Sequence, residues 1–368
     1  MIGTPALTVM TANLHLFGQL ARVGPDKQKT PLYYMDSERI DPIVGYIDRK
    51  RPAIVGLQEI WDPMIQYELA RQLRGTYPYQ LFTPWERGVQ GAIDVLSDKI
   101  GIDDEFLEER TSKVVRDLAQ SHYQLNNSFV WNLLAKMVPE DLTMRLLQRV
   151  FGVNHFMGAG LLFLSRYPID TMQSRFEAYE AKADLERFAT KGVLKTVVTV
   201  PGTGPVTCLL THLQEGTSKK SVAVRVEQLR TMRRIIDHSD YPVIAMGDFN
   251  IGRDVPFRNE MERRRRPRRT EEYKRMLEIL ALRDAYPVCQ KNLRDNPGPT
   301  YLHGPIARNK GIPDTTTEQM LVLDYVLYDS NFEPTGASVD DRDFYLDSRR
   351  LIPLSDHRPL SIVLTKRF

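Results

Sequence analysis

Hydrophobic and polar positions follow two patterns along the chain, and neither internal repeats nor a Gly/Ser-rich linker interrupt them. Continuous apolar runs suit strands that are covered on both faces. The patterns therefore predict a sheet lying between another sheet and helices. Apolar runs of strand length, some continuous and some alternating, predict strands at 6–14, 54–60, 159–165, 192–200, 206–212, 242–249, 321–328 and 359–365.

Apolar residues at helical spacing predict helices between several of these strands. Ile40, Val44 and Ile47 share one helical face, and Pro52 ends that helix before the next strand. The same spacing recurs twice more, in Ile65, Leu69 and Leu73 and in Val222, Val226, Leu229 and Ile236.

The block 88–155 differs from the rest, because it has helical patterns only and the strands on either side would join more simply without it. We predict a single domain over 1–368 with a helical insertion at 88–155. Apolar stripes at helical spacing usually pack in a core. The alternative is a substrate lid or a membrane-facing surface, with Phe129 and Trp131 as anchors.

A composition of 42% hydrophobic and 26% charged residues is that of a globular protein. No apolar run approaches the roughly 20 residues of a membrane span, and residues 1–10 lack the order of a secretory signal. We expect a soluble protein, cytoplasmic or peripheral to a membrane, and secreted only if a leader has been removed. Cys208 and Cys289 are too few for a disulfide framework or a thiolate metal site.

The net charge of +3 is a local property, because the run RRRRPRR at 263–269 holds six arginines and the rest of the chain carries −3. This distribution argues against a broad nucleic-acid-binding face. Two interpretations of the run stay open, namely a solvated loop and a contact for an anionic membrane surface or a phosphate.

Polar residues that carry chemistry stand at the ends or starts of the apolar runs. Such groups are costly to bury without partners, so we expect them to meet in one cleft and share a hard cation and a phosphate. That arrangement indicates a metal-dependent phosphoesterase. In chain order the residues are Asn13 in TANLHL, Glu59 in VGLQEIW, His212 in LLTHLQ, Asp248 and Asn250 in IAMGDFN, Asp324 in LVLDYVLY, and Asp356 with His357 in LSDHRPL.

Glu59 is the predicted main metal ligand, since it ends an apolar strand and has only the neutral Gln58 before it. Mg²⁺ prefers oxygen ligands and keeps several waters, so one or two carboxylates suffice. Such an ion neutralises charge on a phosphodiester. Asn13 is predicted to help position the same ion or a phosphate oxygen, and capping of the strand end is the alternative.

Asp248 and Asn250 are two residues apart, so on a strand their side chains share a face. We predict that Asp248 takes a proton from the attacking water or orients it. Asn250 is predicted to donate to the anionic oxygens as charge grows. An Asx turn is the alternative interpretation of this segment.

His357 is the predicted proton carrier, because an imidazole exchanges protons near neutral pH. Asp324 is predicted to accept the other ring N–H and so fix the tautomer. His212 is suited to stabilise or protonate a leaving oxygen, and a buried structural histidine is the alternative.

Together, and in this order, the motifs resemble the endonuclease/exonuclease/phosphatase superfamily over nearly the whole chain, apart from 88–155 and the arginine run. The resemblance implies an α+β fold, a four-layer α/β/β/α sandwich of two mixed, mainly antiparallel sheets as in deoxyribonucleases. It also implies a site at one end of the paired sheets and Mg²⁺ as the ion, with Mn²⁺ as a substitute. Within the superfamily the chain looks most similar to the neutral sphingomyelinases, on LQEIWD at 57–62, GAGLLFLSRYPI at 158–169, ATKGVL at 189–194 and LRDAY at 282–286.

The likeness implies roles for all of these residues. They are a metal site of Glu59, Asn13 and Asp356, a phosphate and water site of Asp248 and Asn250, an acid/base pair of His357 and Asp324, transition-state stabilisation by His212, and substrate contacts from Asn250, His212 and Lys191.

The predicted function is a Mg²⁺-dependent phosphodiesterase of phospholipase C type that acts on sphingomyelin or a related phospholipid at a membrane surface. No obligate protein partner is readable from the sequence. A deoxyribonuclease-like endonuclease is the alternative, supported by GDFNI and the arginine run, although nucleic acid is the less favoured substrate. An inositol-phosphate phosphatase is a further option. A lipid-binding protein without catalysis is disfavoured by the intact polar residue at every motif.

Overall fold

A computed structural model describes residues 6–16, 36–61, 63–83, 159–183, 186, 189–253, 267–289, 300–302, 320–340, 344–347 and 352–367. The predicted insertion at 88–155, with Phe129 and Trp131, lies outside these residues, as does the first part of the arginine run, 263–266.

The strands in the described part of the chain are, in order, β1 (Leu7–Leu16), β2 (Ile54–Ile60), β3 (Tyr79–Phe82), β4 (Leu162–Ser165), β5 (Ile169–Ala178), β6 (Gly192–Val200), β7 (Gly204–His212), β8 (Val243–Arg253), β9 (Arg283–Asp284), β10 (Tyr301–Leu302), β11 (Met320–Tyr328), β12 (Phe332–Val339), β13 (Tyr345–Asp347), β14 (Ile352–Pro353) and β15 (Leu360–Lys366). The helices are α1 (Asp36–Lys50), α2 (Pro63–Leu73), α3 (Lys219–Asp237), α4 (Pro267–Leu280) and α5 (Ala285–Cys289).

Most strands form two sheets. The first has the order β12-β15-β1-β2-β4-β3, and the second has the order β10-β11-β8-β7-β6-β5, with β9 also paired to β11. The pairs β1–β2 and β7–β8 are parallel, and the other pairs within these sheets are antiparallel. The predicted pair of mixed, mainly antiparallel sheets is therefore confirmed.

The sheets pack face to face, and the helices cover their outer sides. In β1, successive side chains alternate between two apolar cores, as the pleat of a strand requires. Val9 packs in the core between the sheets together with Met246, whereas Met10 packs with Ile43 beneath α1 and α2. On the opposite side α3 and α4 pack on each other and on the second sheet. The result is the predicted four-layer α/β/β/α sandwich.

Each sheet contains one parallel pair joined by a crossover helix, β1-α1-β2 in the first and β7-α3-β8 in the second. The side chain of Ser218 caps α3 by accepting a hydrogen bond from Ser221 N. Because the strands of a parallel pair run in the same direction, their carboxyl ends lie side by side. The four strand ends that carry Asn13, Glu59, His212 and Asp248 are thereby brought to one end of the sandwich.

The eight predicted strands and the three predicted helices are present, but hydrophobic periodicity did not reveal β5 and β12. The edge strand β5 is mostly exposed or half-buried and has a polar sequence, and β12 contains Pro334 and Gly336 at an irregularity in its pairing. Strand β8 runs past its predicted end because pairing resumes after Asn250, whose φ is 52°. At the arginine run, Pro267 opens α4, so 267–269 are helical rather than part of a loop.

No helix in the described residues is both long enough and apolar enough to cross a membrane.

Gly247 determines how closely β7 and β8 approach each other. Its φ is 142°, a conformation that favours glycine, and a Cβ at this position would lie 1.9 Å from Thr211 O. The contact is with backbone on the paired strand, so it has no flexible side chain to move aside. The next pair in the register is His212 with Asp248, so this close contact places two of the site residues side by side.

We predict that Gly247→Ala lowers the free energy of unfolding by more than about 3 kcal/mol, because it combines a strained φ with a backbone clash. Gly75→Ala is the matched control, since a Cβ added there would meet nothing within 4 Å and no positive φ is involved. That variant should stay within about 1 kcal/mol of the wild type. Urea unfolding measures both, and an equal response of the two variants would contradict the prediction.

Candidate active site

The side chain of Asn13 joins the two sheets at the carboxyl ends of their parallel strands. Its Nδ2 donates to Glu59 Oε1 at 2.8 Å and to Asp248 Oδ2 at 3.0 Å. Its Oδ1 accepts a hydrogen bond from His15 N at 3.1 Å. In this arrangement the amide nitrogen faces the two carboxylates, and the amide oxygen is held by the backbone.

Glu59 is held as a carboxylate beside His15. His15 Nδ1 lies 3.1 Å from Glu59 Oε2, and both residues have a positive φ, 49° for His15 and 56° for Glu59. Burial acts to raise the pKa of Glu59, but the hydrogen bond with His15, the charge of His15 and the hydrogen bond from Asn13 outweigh it and hold that pKa well below its usual range. Glu59 is therefore an anion at neutral pH.

His15 is a site residue that the sequence analysis did not single out. Burial acts to lower its pKa, but the charge of Asp356 and the hydrogen bond with Glu59 prevail and raise it. The signal in the sequence was the spacing in TANLHL, where His15 lies two residues after Asn13 on the same strand.

His357 and Asp324 form a buried pair, with 2.7 Å between His357 Nδ1 and Asp324 Oδ2. The other ring nitrogen, Nε2, lies 3.7 Å from Asp248 Oδ2. Burial acts to lower the pKa of His357, but the charges of Asp324 and Asp248 exceed that effect and raise the pKa well above its usual value. The predicted contact between this histidine and Asp324 is present, and it leaves Nε2 facing the site.

Asp248 lies at the centre of the site and is fully buried. Burial raises its pKa to about 7, against the opposing charge of His357. Its Oδ1 accepts from Asn250 N at 2.8 Å, a local bond of the Asx-turn kind, while Oδ2 faces Asn13 and His357. The segment therefore has the local turn that was an alternative interpretation and also directs one carboxylate oxygen into the site.

Asn250 lies beside the other residues, with φ at 52°. Its Nδ2 donates to Leu213 O at 3.1 Å, and Leu213 N donates to Asp248 O at 2.9 Å. The positive φ interrupts the strand alternation that would have put Asn250 and Asp248 on one face.

His212 is a neutral hydrogen-bond acceptor in this arrangement. Its Nε2 lies 3.1 Å from Lys191 Nζ, and the buried ammonium also donates to Glu186 Oε1 at 2.6 Å and to Leu213 O at 2.8 Å. Burial and then the charge of Lys191 hold the pKa of His212 well below its usual range. Donation from Nε2 to a leaving oxygen, the predicted role, therefore requires release of this nitrogen from the ammonium.

A family model described as the endonuclease/exonuclease/phosphatase family matches residues 10–357. The chain belongs to that family. The resemblance inferred from the motif order is thereby confirmed.

Solved structures of other proteins share the fold of this family member. Sphingomyelinase C from Streptomyces griseocarneus is 18% identical, with a TM-score of 0.55, and covers 98% of this chain and 99% of its own. Beta toxin from Staphylococcus aureus, as a double mutant with bound magnesium ions, is 15% identical, with a TM-score of 0.54. The match covers 99% of this chain and 100% of the toxin chain. D. rerio TDP2 with a single-strand DNA product is 14% identical, with a TM-score of 0.53, and the match covers 98% of this chain and 99% of the TDP2 chain. No curated protein matches the chain significantly.

Among the described residues of this family member, two groups bring at least three potential metal ligands together. Glu59, His212 and Asp248 form one group, and Asp248, Asp324 and His357 form the other, each with its ligand atoms within 4.8 Å of one another. Each group offers two carboxylates, whose oxygens are the hard ligands that a divalent cation prefers. In the second, the 2.7 Å contact of His357 with Asp324 already occupies one ring nitrogen.

Asp356 lies on the Glu59 side of the site. Its Oδ1 is 3.8 Å from His15 Nδ1 and 3.2 Å from Ser355 Oγ. Six of the predicted site residues therefore lie at the centre, namely Asn13, Glu59, His212, Asp248, Asp324 and His357. The other three, Asn250, Lys191 and Asp356, lie around them.

We predict that Glu59→Gln weakens Mg²⁺ binding at least about 10-fold, because the isosteric amide removes the anionic charge without removing the side chain. Isothermal titration calorimetry with Mg²⁺ and with Mn²⁺ measures the change. Glu68→Gln, on the outer helix α2 where Glu68 pairs with Arg71, is the control and should bind as the wild type does. An unchanged titration of Glu59→Gln would remove Glu59 from the metal site.

Proposed function

We propose that the protein is a metal-dependent phosphodiesterase of phospholipase C type that hydrolyses sphingomyelin or a related phospholipid to a phosphorylated head group and a lipid alcohol. One observation carries the proposal. The Asn13 amide holds Glu59 Oε1 and Asp248 Oδ2 together, and the same Asp248 oxygen lies 3.7 Å from His357 Nε2. The amide thus joins the proposed cation ligand, Glu59, to the proposed proton-transfer pair of Asp248 and His357.

Glu59 would hold the ion, for which we propose Mg²⁺ with Mn²⁺ as a substitute. Asn13 would orient the Glu59 carboxylate, and Asp356 would support the ion from the Glu59 side. When bound, the ion neutralises charge on the phosphodiester and orients it. The magnesium ions bound to the Staphylococcus aureus beta toxin mutant support this choice. The oxygen-rich donor set of the central group agrees with it.

Proton transfer is assigned to Asp248 and His357. Water attacks phosphorus and gives its proton to Asp248 Oδ2, the carboxylate oxygen that lies 3.7 Å from His357 Nε2. The bond from phosphorus to the lipid oxygen breaks, and that oxygen takes a proton from His357 Nε2. Asp324 keeps the imidazole oriented and stabilises its charge. Return of the proton from Asp248 to His357 restores the starting state.

The remaining roles are those of substrate contacts. We assign Asn250, His212 and Lys191 to the phosphate, with His212 and Lys191 stabilising charge on its oxygens once their mutual contact opens. This assignment rests on the position of His212 Nε2, which lies 3.5 Å from Glu59 Oε1 and 3.9 Å from Asp248 Oδ2.

We place a phospholipid before a nucleic acid as the substrate class. The similarity to sphingomyelinase C supports the same substrate class. An endonuclease is the second candidate, and the likeness to D. rerio TDP2 bound to a DNA product favours it.

A hydrolysis panel tests the substrate class. It compares sphingomyelin, lysophospholipid, glycerophospholipid and plasmid DNA, each with Mg²⁺ and with EDTA. We expect Mg²⁺-dependent release of a phosphorylated head group from at least one phospholipid, at a rate that exceeds plasmid nicking. Robust nicking without head-group release would instead put the endonuclease first.

We predict that His357→Ala lowers kcat about 10²–10⁴-fold, as expected for the loss of a general acid. Asp324→Asn should lose less, because Asp324 orients the ring and does not carry the transferred proton. His238→Ala is the control, since His238 is exposed at the end of α3. A loss in His238→Ala as large as that in His357→Ala would refute the assignment.

A further inference from the structure

Arg39 is a fully buried arginine on α1, with 0% of its surface exposed. Its Nε donates to Leu354 O at 2.8 Å, and its Nη1 donates to His15 O at 2.9 Å. Its Nη2 donates to both Leu14 O and Leu354 O. These acceptors are backbone carbonyl oxygens, so the guanidinium fixes the course of the chain at each of them.

The acceptors belong to two segments that carry site residues. Leu14 and His15 directly follow Asn13 in β1. Leu354 directly precedes the segment of Ser355, Asp356 and His357 and lies 315 residues from Arg39. A single buried side chain therefore ties the strand end that presents the Asn13 amide to the segment that presents the His357 imidazole.

A second bond joins the same two segments. Ser355 Oγ donates to Asn13 O at 2.8 Å and accepts from His357 N at 3.1 Å. Hydrogen bonds from two side chains, Arg39 and Ser355, therefore connect the backbone near Asn13 to the backbone near His357.

We infer that Arg39 is a positioning residue, whose guanidinium sets the distance between the Asn13–Glu59 side of the site and His357. The planar fork of arginine has five N–H donors in fixed directions, whereas the lysine ammonium concentrates three donors at one point. A lysine at this position would keep the charge but would not reach the three carbonyl oxygens together. The inference rests on the proposed function for its kinetic readout only.

A general contribution to stability is the competing explanation, because loss of a buried charged hydrogen-bond donor destabilises most folds. Arg233, which is half-buried, is the control for the loss of a hydrogen bond from an arginine to the backbone away from the site. It lies on α3, the crossover helix of the other sheet, and its Nη1 donates to the backbone carbonyl of Leu280 at 2.8 Å. That contact joins α3 to α4 in the outer helical layer and involves no site segment.

The test compares Arg39→Lys with Arg233→Lys in the full chain. For Arg39→Lys we expect the Mg²⁺ dissociation constant, measured by calorimetry, to rise about 10–100-fold. On a short soluble phosphodiester, kcat should fall by a similar factor while KM stays near its wild-type value. Hydrogen exchange followed by mass spectrometry should become faster over 354–357. Arg233→Lys should change none of these.

Ser355→Ala is the second variant, since it removes the other tie and leaves the buried arginine in place. It should shift Mg²⁺ affinity and kcat in the same direction as Arg39→Lys. If Arg39→Lys does not fold, Ser355→Ala tests whether the connection between the two segments sets the geometry of the site. Wild-type Mg²⁺ affinity and wild-type exchange over 354–357 in the folded variants would overturn the inference. If the wild type hydrolyses no phosphodiester, the proposed function fails, and the calorimetric and exchange results still decide the role of Arg39.

Discussion

The site depends on one amide bridging two carboxylates across the interface of two sheets. Asn13 and Asp248 are 235 residues apart and belong to different sheets, yet the Asn13 Nδ2 donates to Asp248 and to Glu59 at once. Two buried carboxylates that lie close enough to accept from the same amide nitrogen repel each other unless a donor or a cation lies between them. The Asn13 amide supplies part of that compensation, and the cation we propose would supply the rest.

The strained backbone of the site follows from this constraint. Side chains on a regular strand alternate between the two faces of the sheet. With regular geometry throughout, the polar side chains of β1, β2 and β8 would therefore not all point into one site. His15, Glu59 and Asn250 each adopt a positive φ inside β1, β2 and β8, and this changes the direction of the side chains within those strands. Packing elsewhere must hold these conformations, and the buried guanidinium of Arg39 is one contact that does so.

Sequence reasoning recovered the strands with continuous apolar runs and the convergence of the polar motifs, because burial of both faces and the cost of isolated polar groups are readable locally. It did not recover β5, whose exposed edge position leaves no hydrophobic pattern. It also missed His15, although the spacing from Asn13 was readable, and it missed the contact between Lys191 and His212, which forms only when distant segments meet in the folded chain. The insertion at 88–155 lies outside the described residues, so its prediction stays untested.

The tie between Ser355 and Asn13 spans 342 residues of chain, which makes the order of folding part of the function. Contacts between distant segments form late, because the entropy of closing so long a loop is lost before the contact repays it. Strand β15, which follows His357, completes the first sheet by pairing with β1 and β12. During synthesis, the strands that carry Asn13 and Glu59 leave the ribosome long before His357. A chain made only as far as β11 therefore lacks Asp356 and His357, and the tie from Ser355 can form only after that.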